Sequence, residues 1–180
     1  MNSLQFATPE SQGLSSARLA EYVRENFSVA RPYSHSLIIM RNGKIVSETY
    51  RKLCSPADRH QLFSLSKSFV STAVGIAIGE GLISLDDKIV EFFPEYLSDK
   101  VGERMRNATI RDCLTMRSGR DTCGLFGNQY RELGDGRHFA NNRPWMQNLL
   151  EEELVYDPGT VFFYDSSATY TLSAILYRVA

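Results

Sequence analysis

The sequence lacks long apolar runs and has no excess of charge of either sign. No stretch approaches the roughly 18 apolar residues that a membrane span requires, so we expect no membrane insertion. The formal net charge is -1, and basic residues are interspersed with acidic ones. This pattern argues against the basic surface that nucleic-acid binding requires.

Cysteine is also scarce. The chain has three cysteines, which are widely spaced: Cys54, Cys113 and Cys123. Their odd number and their spacing argue against a disulfide framework and favour reduced thiols. The first residues lack a basic region followed by an apolar stretch, so no secretory signal is visible. Both observations favour a cytoplasmic protein.

Enough apolar sequence is present for one folded domain. The 180 residues are 43% hydrophobic and 23% charged, a composition typical of soluble globular proteins. Ser15 or Ser16 can cap a first helix. Extended runs at 35–40 and 44–50 flank Asn42-Gly43, and this dipeptide between two such runs is the strongest short-range signal for a β-hairpin.

The middle of the chain predicts two helices. Residues 64–80 are apolar around most of the helical circumference, which predicts a buried helix that Gly81 terminates. Thr109 and Asp112 form a capping-box variant that opens a short helix, and Gly119 is expected to close it.

The last third combines a long loop with two more helices. Residues 120–141 show little periodicity, and a loop of this length is usually functional or mobile. Pro144 opens the next helix, residues 161–164 are extended, and Ser166 or Ser167 is expected to cap the final helix. Three aromatic residues in or beside the loop either line an acyl pocket or pack beneath it: Phe126, Tyr130 and Trp145.

Ser64-Leu65-Ser66-Lys67 is the Ser-x-x-Lys sequence of this chain, and its position at the start of the predicted buried helix makes it a candidate for catalysis. A spacing of three residues places Ser64 and Lys67 on one face of a helix. The helix N-terminus repels cations and burial disfavours charge, so both favour the neutral amine that a general base requires. The alternative is a capping serine beside a solvated lysine.

Several segments, in matching order and spacing, resemble β-lactamase-related serine hydrolases, a family of serine β-lactamases, D-alanyl-D-alanine peptidases and esterases. They are 8–15, 63–69, 79–87, 93–95, 109–119 and 158–166. The resemblance implies an α+β fold in which a helical subdomain packs on an antiparallel sheet, with the active site between them. It also implies Ser64 as nucleophile and Lys67 as its base.

The second catalytic element of the class C members, Tyr-x-Asn, is Tyr164-Asp165-Ser166 here. By resemblance Tyr164 shares proton transfer with Lys67, and Ser166 takes the substrate-contacting position of the asparagine. That departure weakens the expectation of β-lactam hydrolysis more than that of ester hydrolysis. The third element, Lys-Thr-Gly or His-Thr-Gly, occurs nowhere in the sequence.

We therefore interpret the chain as the N-terminal portion of a single serine-hydrolase domain, truncated before the C-terminal strands. Residues 1–57 would supply the first helix and the hairpin, and 58–180 the helical subdomain. The expected substrate is a small ester or amide, and the chemistry needs neither a cofactor nor a metal. The alternatives are a β-lactamase or D-alanyl-D-alanine carboxypeptidase, and a non-catalytic binding protein on the same fold.

Two further expectations follow. His35, His60 and His138 are far apart in the sequence, so none predicts a metal site. The hairpin of the truncated sheet should expose a strand edge through which copies of the chain self-associate. Its expected apolar contributors are Ile38, Met40, Ile45 and the apolar face of the final helix.

Overall fold

The computed structural model describes residues 4–28, 33–121 and 143–180. Most of the predicted loop at 120–141, with Cys123, Phe126, Tyr130 and His138, lies outside them. The chain divides into two compact units, Met1–Gln61 and Leu62–Ala180. Within the described ranges, no helix is both long enough and apolar enough to span a bilayer.

The first unit contains a helix that begins where the sequence predicts. Helix α1 is Ser16–Asn26, and the Ser15 hydroxyl accepts a hydrogen bond from the Arg18 N–H at 3.4 Å. A 3-10 helix at Glu10–Gln12 precedes it. The Glu10 carboxylate accepts from the Ser16 N–H at 2.9 Å, so two side chains satisfy N–H groups that the first turn leaves without helical partners.

The sheet of the first unit has three described strands in the order β1-β3-β2: β1 (Gln5–Phe6), β2 (Ser36–Arg41) and β3 (Lys44–Tyr50). The predicted hairpin is confirmed. Asn42 and Gly43 have φ of 49° and 73°, the positive values that a tight turn between twisted strands demands. Short β1 was not predicted and runs parallel to β3, so the sheet is mixed.

The edge expected to self-associate is partly as predicted. Ile38 and Met40 on the edge strand β2 are exposed. Ile45 is buried, which contradicts its predicted exposure, because β3 is the central strand and pairs on both sides. Self-association itself stays a prediction.

The second unit is helical. Its described helices are α2 (Ser66–Gly79), α3 (Glu103–Asn107), α4 (Ile110–Leu114), α5 (Trp145–Glu151) and α6 (Ser166–Val179), with 3-10 helices at Phe63–Leu65, Ile89–Phe92 and Pro94–Tyr96. Its hydrophobic core draws a side chain from nearly every helix, and the largest of those fully buried are Phe93, Met105, Ile110, Leu150 and Ile175. This shared core fixes α2, α4 and α6 against one another.

Helix α2 is not the buried helix that its composition predicts. Val74 and Ala77 face the core, but Phe69 and Ile76 are 63% and 57% exposed. A helix that is apolar all round is buried only when neighbours surround it, and within the described residues of this unit they cover one side. The helix does end as predicted, with Gly81 at φ 73° just beyond it.

Helix α4 begins as predicted and ends earlier. The capping box is confirmed: the Asp112 N–H donates to Thr109 Oγ1 at 3.3 Å, and the Thr109 N–H donates to Asp112 Oδ2 at 2.9 Å. The helix ends at Leu114, so Gly119 does not close it. Met116, two residues beyond the helix, instead adopts the left-handed conformation with φ 55°.

Gly119 lies where two backbone segments approach closely, so a substitution there is expected to lower stability. Its φ is 90°, and an added Cβ would lie 2.5 Å from the Tyr156 carbonyl oxygen. The Tyr156 N–H donates to the Gly119 carbonyl at 2.9 Å, so the two backbones cannot easily separate. We expect Gly119→Ala to lower the free energy of unfolding by roughly 2–4 kcal/mol, from strained φ and overpacking together. Urea titration measures this change.

Gly102→Ala is the matched control. Gly102 has φ -67°, and its Cβ would enter open space, so the free energy of unfolding should change by less than about 1 kcal/mol. Equal effects of the two substitutions would mean that the close approach at Gly119 does not constrain the fold.

Candidate active site

Two polar side chains meet at the start of α2. Ser64 is in the 3-10 helix that runs directly into α2, and Lys67 is the second residue of α2. Lys67 Nζ donates a hydrogen bond to Ser64 Oγ at 3.1 Å. Phe63, immediately before Ser64, has φ 46°, an unfavourable conformation for a bulky residue and one that clusters at functional sites.

A tyrosine from the far end of the chain completes this group. Tyr164 lies in the extended segment before α6, and its hydroxyl donates to Ser64 Oγ at 2.6 Å. Lys67 Nζ lies 4.9 Å from the centroid of the same ring. The structure thus brings Ser64, Lys67 and Tyr164 together as the sequence comparison expects, and their roles stay a prediction.

The three side chains are accessible. Ser64 is exposed, Lys67 is half-buried and Tyr164 is 44% exposed. A cavity of about 400 Å³ opens beside the Lys67 side chain, within the usual size range of small-molecule sites. Its other lining residues come from α2, α4 and its following turn, and α6: Ser68, Ser71, Thr72, Cys113, Leu114, Met116, Thr169 and Leu172.

The backbone around Tyr164 is held from both sides by Met116. The Phe163 N–H donates to the Met116 carbonyl at 2.9 Å. The Asp165 N–H donates to Met116 Sδ at 3.4 Å. Because the residues before and after Tyr164 bond to the same residue, the turn after α4 holds the backbone that carries the phenol.

The cap of α6 differs from the prediction. Asp165, and neither Ser166 nor Ser167, is the N-cap: its Oδ1 accepts from the Ser167 N–H at 2.8 Å and from the Ser167 hydroxyl. Aspartate caps helices as well as serine does and adds a negative charge at the positive end of the helix dipole. Ser166, the predicted substrate contact, is half-buried in the first turn.

The second oxygen of Asp165 joins a buried polar cluster. Asp165 Oδ2 accepts from the Ser118 hydroxyl at 2.8 Å and from Arg120 Nη1 at 3.3 Å. Arg120 also donates to Glu152 Oε2 at 2.7 Å and to the Leu149 carbonyl at 2.9 Å. Burial opposes the charge of Arg120, but the two carboxylates outweigh it and raise its pKa above the usual value.

The residues of this cluster do not stand out in the sequence. Arg120 stands at the start of a stretch without periodicity, and Glu152 belongs to the run Glu151–Glu153 that reads as a solvated helix end. One signal could have pointed to Asp165. It directly follows Tyr164, and aspartate caps a helix as well as the serines that come after it.

The remaining candidate residues are not part of the group that converges on Ser64. His35 and His60 do meet, with Nδ1 atoms 3.5 Å apart, although no group of three or more potential metal ligands exists among the described residues.

Burial raises the pKa of the Cys113 thiol to about 12, so it is not a nucleophile. Trp145 packs against Tyr170 and lines a cavity whose described walls include none of the three converging residues.

Comparisons with known proteins agree with the sequence motifs. A family model described as Beta-lactamase matches residues 28–180. A curated relative, the 6-aminohexanoate-dimer hydrolase of Paenarthrobacter ureafaciens, is 38% identical over 60 residues, which are 33% of this chain and 15% of that protein.

A solved structure from Bacillus anthracis, provisionally named a 6-aminohexanoate-dimer hydrolase, superposes with a TM-score of 0.65 at 19% identity. The superposition covers 99% of this chain and 47% of the other, so this chain spans about half of that protein's length. At this identity the likeness concerns the fold alone, and the predicted α+β fold class is confirmed.

Proposed function

The chain belongs to the Beta-lactamase family, and from that premise we propose that the whole protein is a serine hydrolase that cleaves an ester or amide through an acyl-enzyme on Ser64. One observation carries the proposal, which is the convergence of Lys67 Nζ and Tyr164 Oη on Ser64 Oγ at 3.1 and 2.6 Å. A weak nucleophile needs an adjacent base, and these distances are within the range for proton transfer.

The proposed reaction has two halves. Ser64 Oγ forms a bond to the substrate carbonyl carbon while its proton passes to Lys67 acting as the base, with the Tyr164 hydroxyl hydrogen-bonded to the same serine oxygen. The carbonyl is restored as the bond to the leaving oxygen or nitrogen breaks, and that atom takes the proton. Water then attacks the acyl-enzyme, gives its proton to the same groups and releases the acid, and Ser64 Oγ is protonated again.

The proposed substrate class is an ester or amide, with Ser166 beside the acyl group. A hydroxyl at this position cannot make the paired contacts of an asparagine amide, which favours esters over β-lactams. The names of both relatives refer to a dimer of 6-aminohexanoate. An amide bond joins two amino acids, so these names keep amides within the proposal.

We also propose a cytoplasmic location. Cys54 and Cys113, the cysteines within the described residues, carry free thiols, which is their ordinary state in a reducing compartment. Cell fractionation tests this part independently of the chemistry.

Labelling with a fluorophosphonate tests the proposed nucleophile. This reagent phosphonylates an activated serine, so the whole protein should gain one adduct, and peptide mass spectrometry should place it on Ser64. Ser66→Ala, which removes a hydroxyl two residues away, should label normally, whereas Ser64→Ala should not label. A wild-type protein that stays unlabelled would favour a non-catalytic binding protein on this fold.

A further inference from the structure

We propose that Asp165 is a positioning residue, which holds the Tyr164 phenol against Ser64 through its contacts with Ser118 and Arg120. This inference rests on the proposed function, because it assigns the cluster to the proton transfer at Ser64. It concerns residues that do not touch the reacting atoms themselves.

The two oxygens of Asp165 have separate partners. Oδ1 accepts from the Ser167 N–H and so caps α6. Oδ2 is not needed for the cap; it accepts from the Ser118 hydroxyl and from Arg120 Nη1. A serine or asparagine would satisfy the helix end equally well, so capping alone does not explain a carboxylate here.

The partners of Oδ2 belong to the turn that also holds Tyr164. Ser118 and Arg120 follow Met116, whose carbonyl and Sδ accept from the N–H groups of Phe163 and Asp165. The backbone on both sides of Tyr164 and the side chain of Asp165 therefore bond to a single short segment. A shift of the backbone that carries Tyr164 would break all of these hydrogen bonds at once.

Burial makes this attachment rigid. Asp165 is fully buried and Arg120 is 4% exposed. Every buried side-chain nitrogen or oxygen within the described residues has a hydrogen-bond partner. Loss of one partner from such a cluster leaves a charge buried without compensation, so breaking the contacts of Asp165 is costly. A catalytic group held by a rigid neighbour stays in the productive geometry, and a misplacement of about 1 Å costs about 100-fold in rate.

Asp165→Asn removes the ion pair with Arg120 while keeping the cap of α6. The amide oxygen can still cap α6 through Ser167, but the amide nitrogen would face the Arg120 guanidinium, which has only donors. We expect the fluorophosphonate labelling rate and the kcat for an ester to fall about 10- to 100-fold in the whole protein, up to the loss that a misplacement of about 1 Å can cause. KM should change by less than about 2-fold, since substrate contacts remain. Rates are expressed per titrated active site, so a misfolded fraction does not count.

A double-mutant cycle with Tyr164→Phe identifies the route of the effect. If Asp165 acts through the phenol, Asp165→Asn should change the rate less than about 2-fold when the phenol hydroxyl is already absent. Equal losses in both backgrounds would overturn the proposal and leave a purely structural role. Ser118→Ala, which removes one donor and keeps the ion pair, should give a smaller loss that also vanishes in the Tyr164→Phe background.

Asp87→Asn is the control for a lost carboxylate, because Asp87 accepts from the Ser84 N–H at 2.7 Å in a separate turn. Its rate should stay within about 2-fold of wild type. The two proposals fail in different ways. Absence of labelling at Ser64 in the wild type removes the proposed function, whereas normal Ser64 labelling with an unchanged rate in Asp165→Asn removes the positioning role alone.

Discussion

Ser64→Ala is expected to lower kcat for a short p-nitrophenyl ester by about 10⁴-fold or more in the whole protein, because removing the nucleophile removes the covalent route. Binding of the ester should persist, since the surrounding groups remain. Steady-state release of p-nitrophenol measures kcat and KM together, and a burst of about one equivalent in the wild type would report the acyl-enzyme.

Ser66→Ala is the matched control for this substitution. It removes a hydroxyl from the first turn of α2 while leaving Ser64 and its partners in place, so kcat should stay within a few-fold of wild type. Unchanged turnover in Ser64→Ala would show that another residue carries the reaction.

Lys67→Ala is expected to be nearly as damaging, with kcat about 10³- to 10⁴-fold lower, because the nucleophile and its base act as one unit. The double variant Ser64→Ala with Lys67→Ala should be no slower than Ser64→Ala alone. Lys67→Arg tests whether Lys67 acts as a base or only supplies positive charge. Arginine is permanently protonated and so can supply positive charge but cannot accept the serine proton, and this variant should be as inactive as alanine.

Lys88→Ala is the control for the loss of a lysine. Lys88 Nζ donates to the Asn107 side chain at 3.0 Å, outside the converging group, and its removal should leave kcat within about 2-fold. Substantial activity in Lys67→Arg would mean that Lys67 contributes charge alone, and that the phenol of Tyr164 takes the proton.

Local features could be predicted from the sequence, because local interactions determine them. The hairpin follows from the positive φ that Asn42-Gly43 tolerates, and the capping box from the three-residue spacing of Thr109 and Asp112. Ser64 and Lys67 could be placed together for the same reason. Tyr164 could be added only through the order of family motifs, since no local rule joins positions that distant.

Features that depend on distant partners could not be predicted. The exposure of Phe69 depends on what surrounds α2, and composition does not report that. The turn after α4 ends in Gly119, yet Met116 takes the left-handed conformation, because Phe163 and Asp165 supply bonds that compensate for its strain. Arg120 looked like a loop residue because Asp165, its buried partner, lies 45 positions away.

The hydrogen bond from Tyr164 to Ser64 spans 100 positions, whereas that from Lys67 to Ser64 spans three. In an ideal flexible chain, closing the longer loop costs on the order of 3 kcal/mol more in entropy. The serine–lysine pair can therefore form within an isolated turn during folding, while the phenol arrives only when α6 docks. We expect partial unfolding to follow the reverse order, so that Tyr164 leaves first while Ser64 and Lys67 stay side by side.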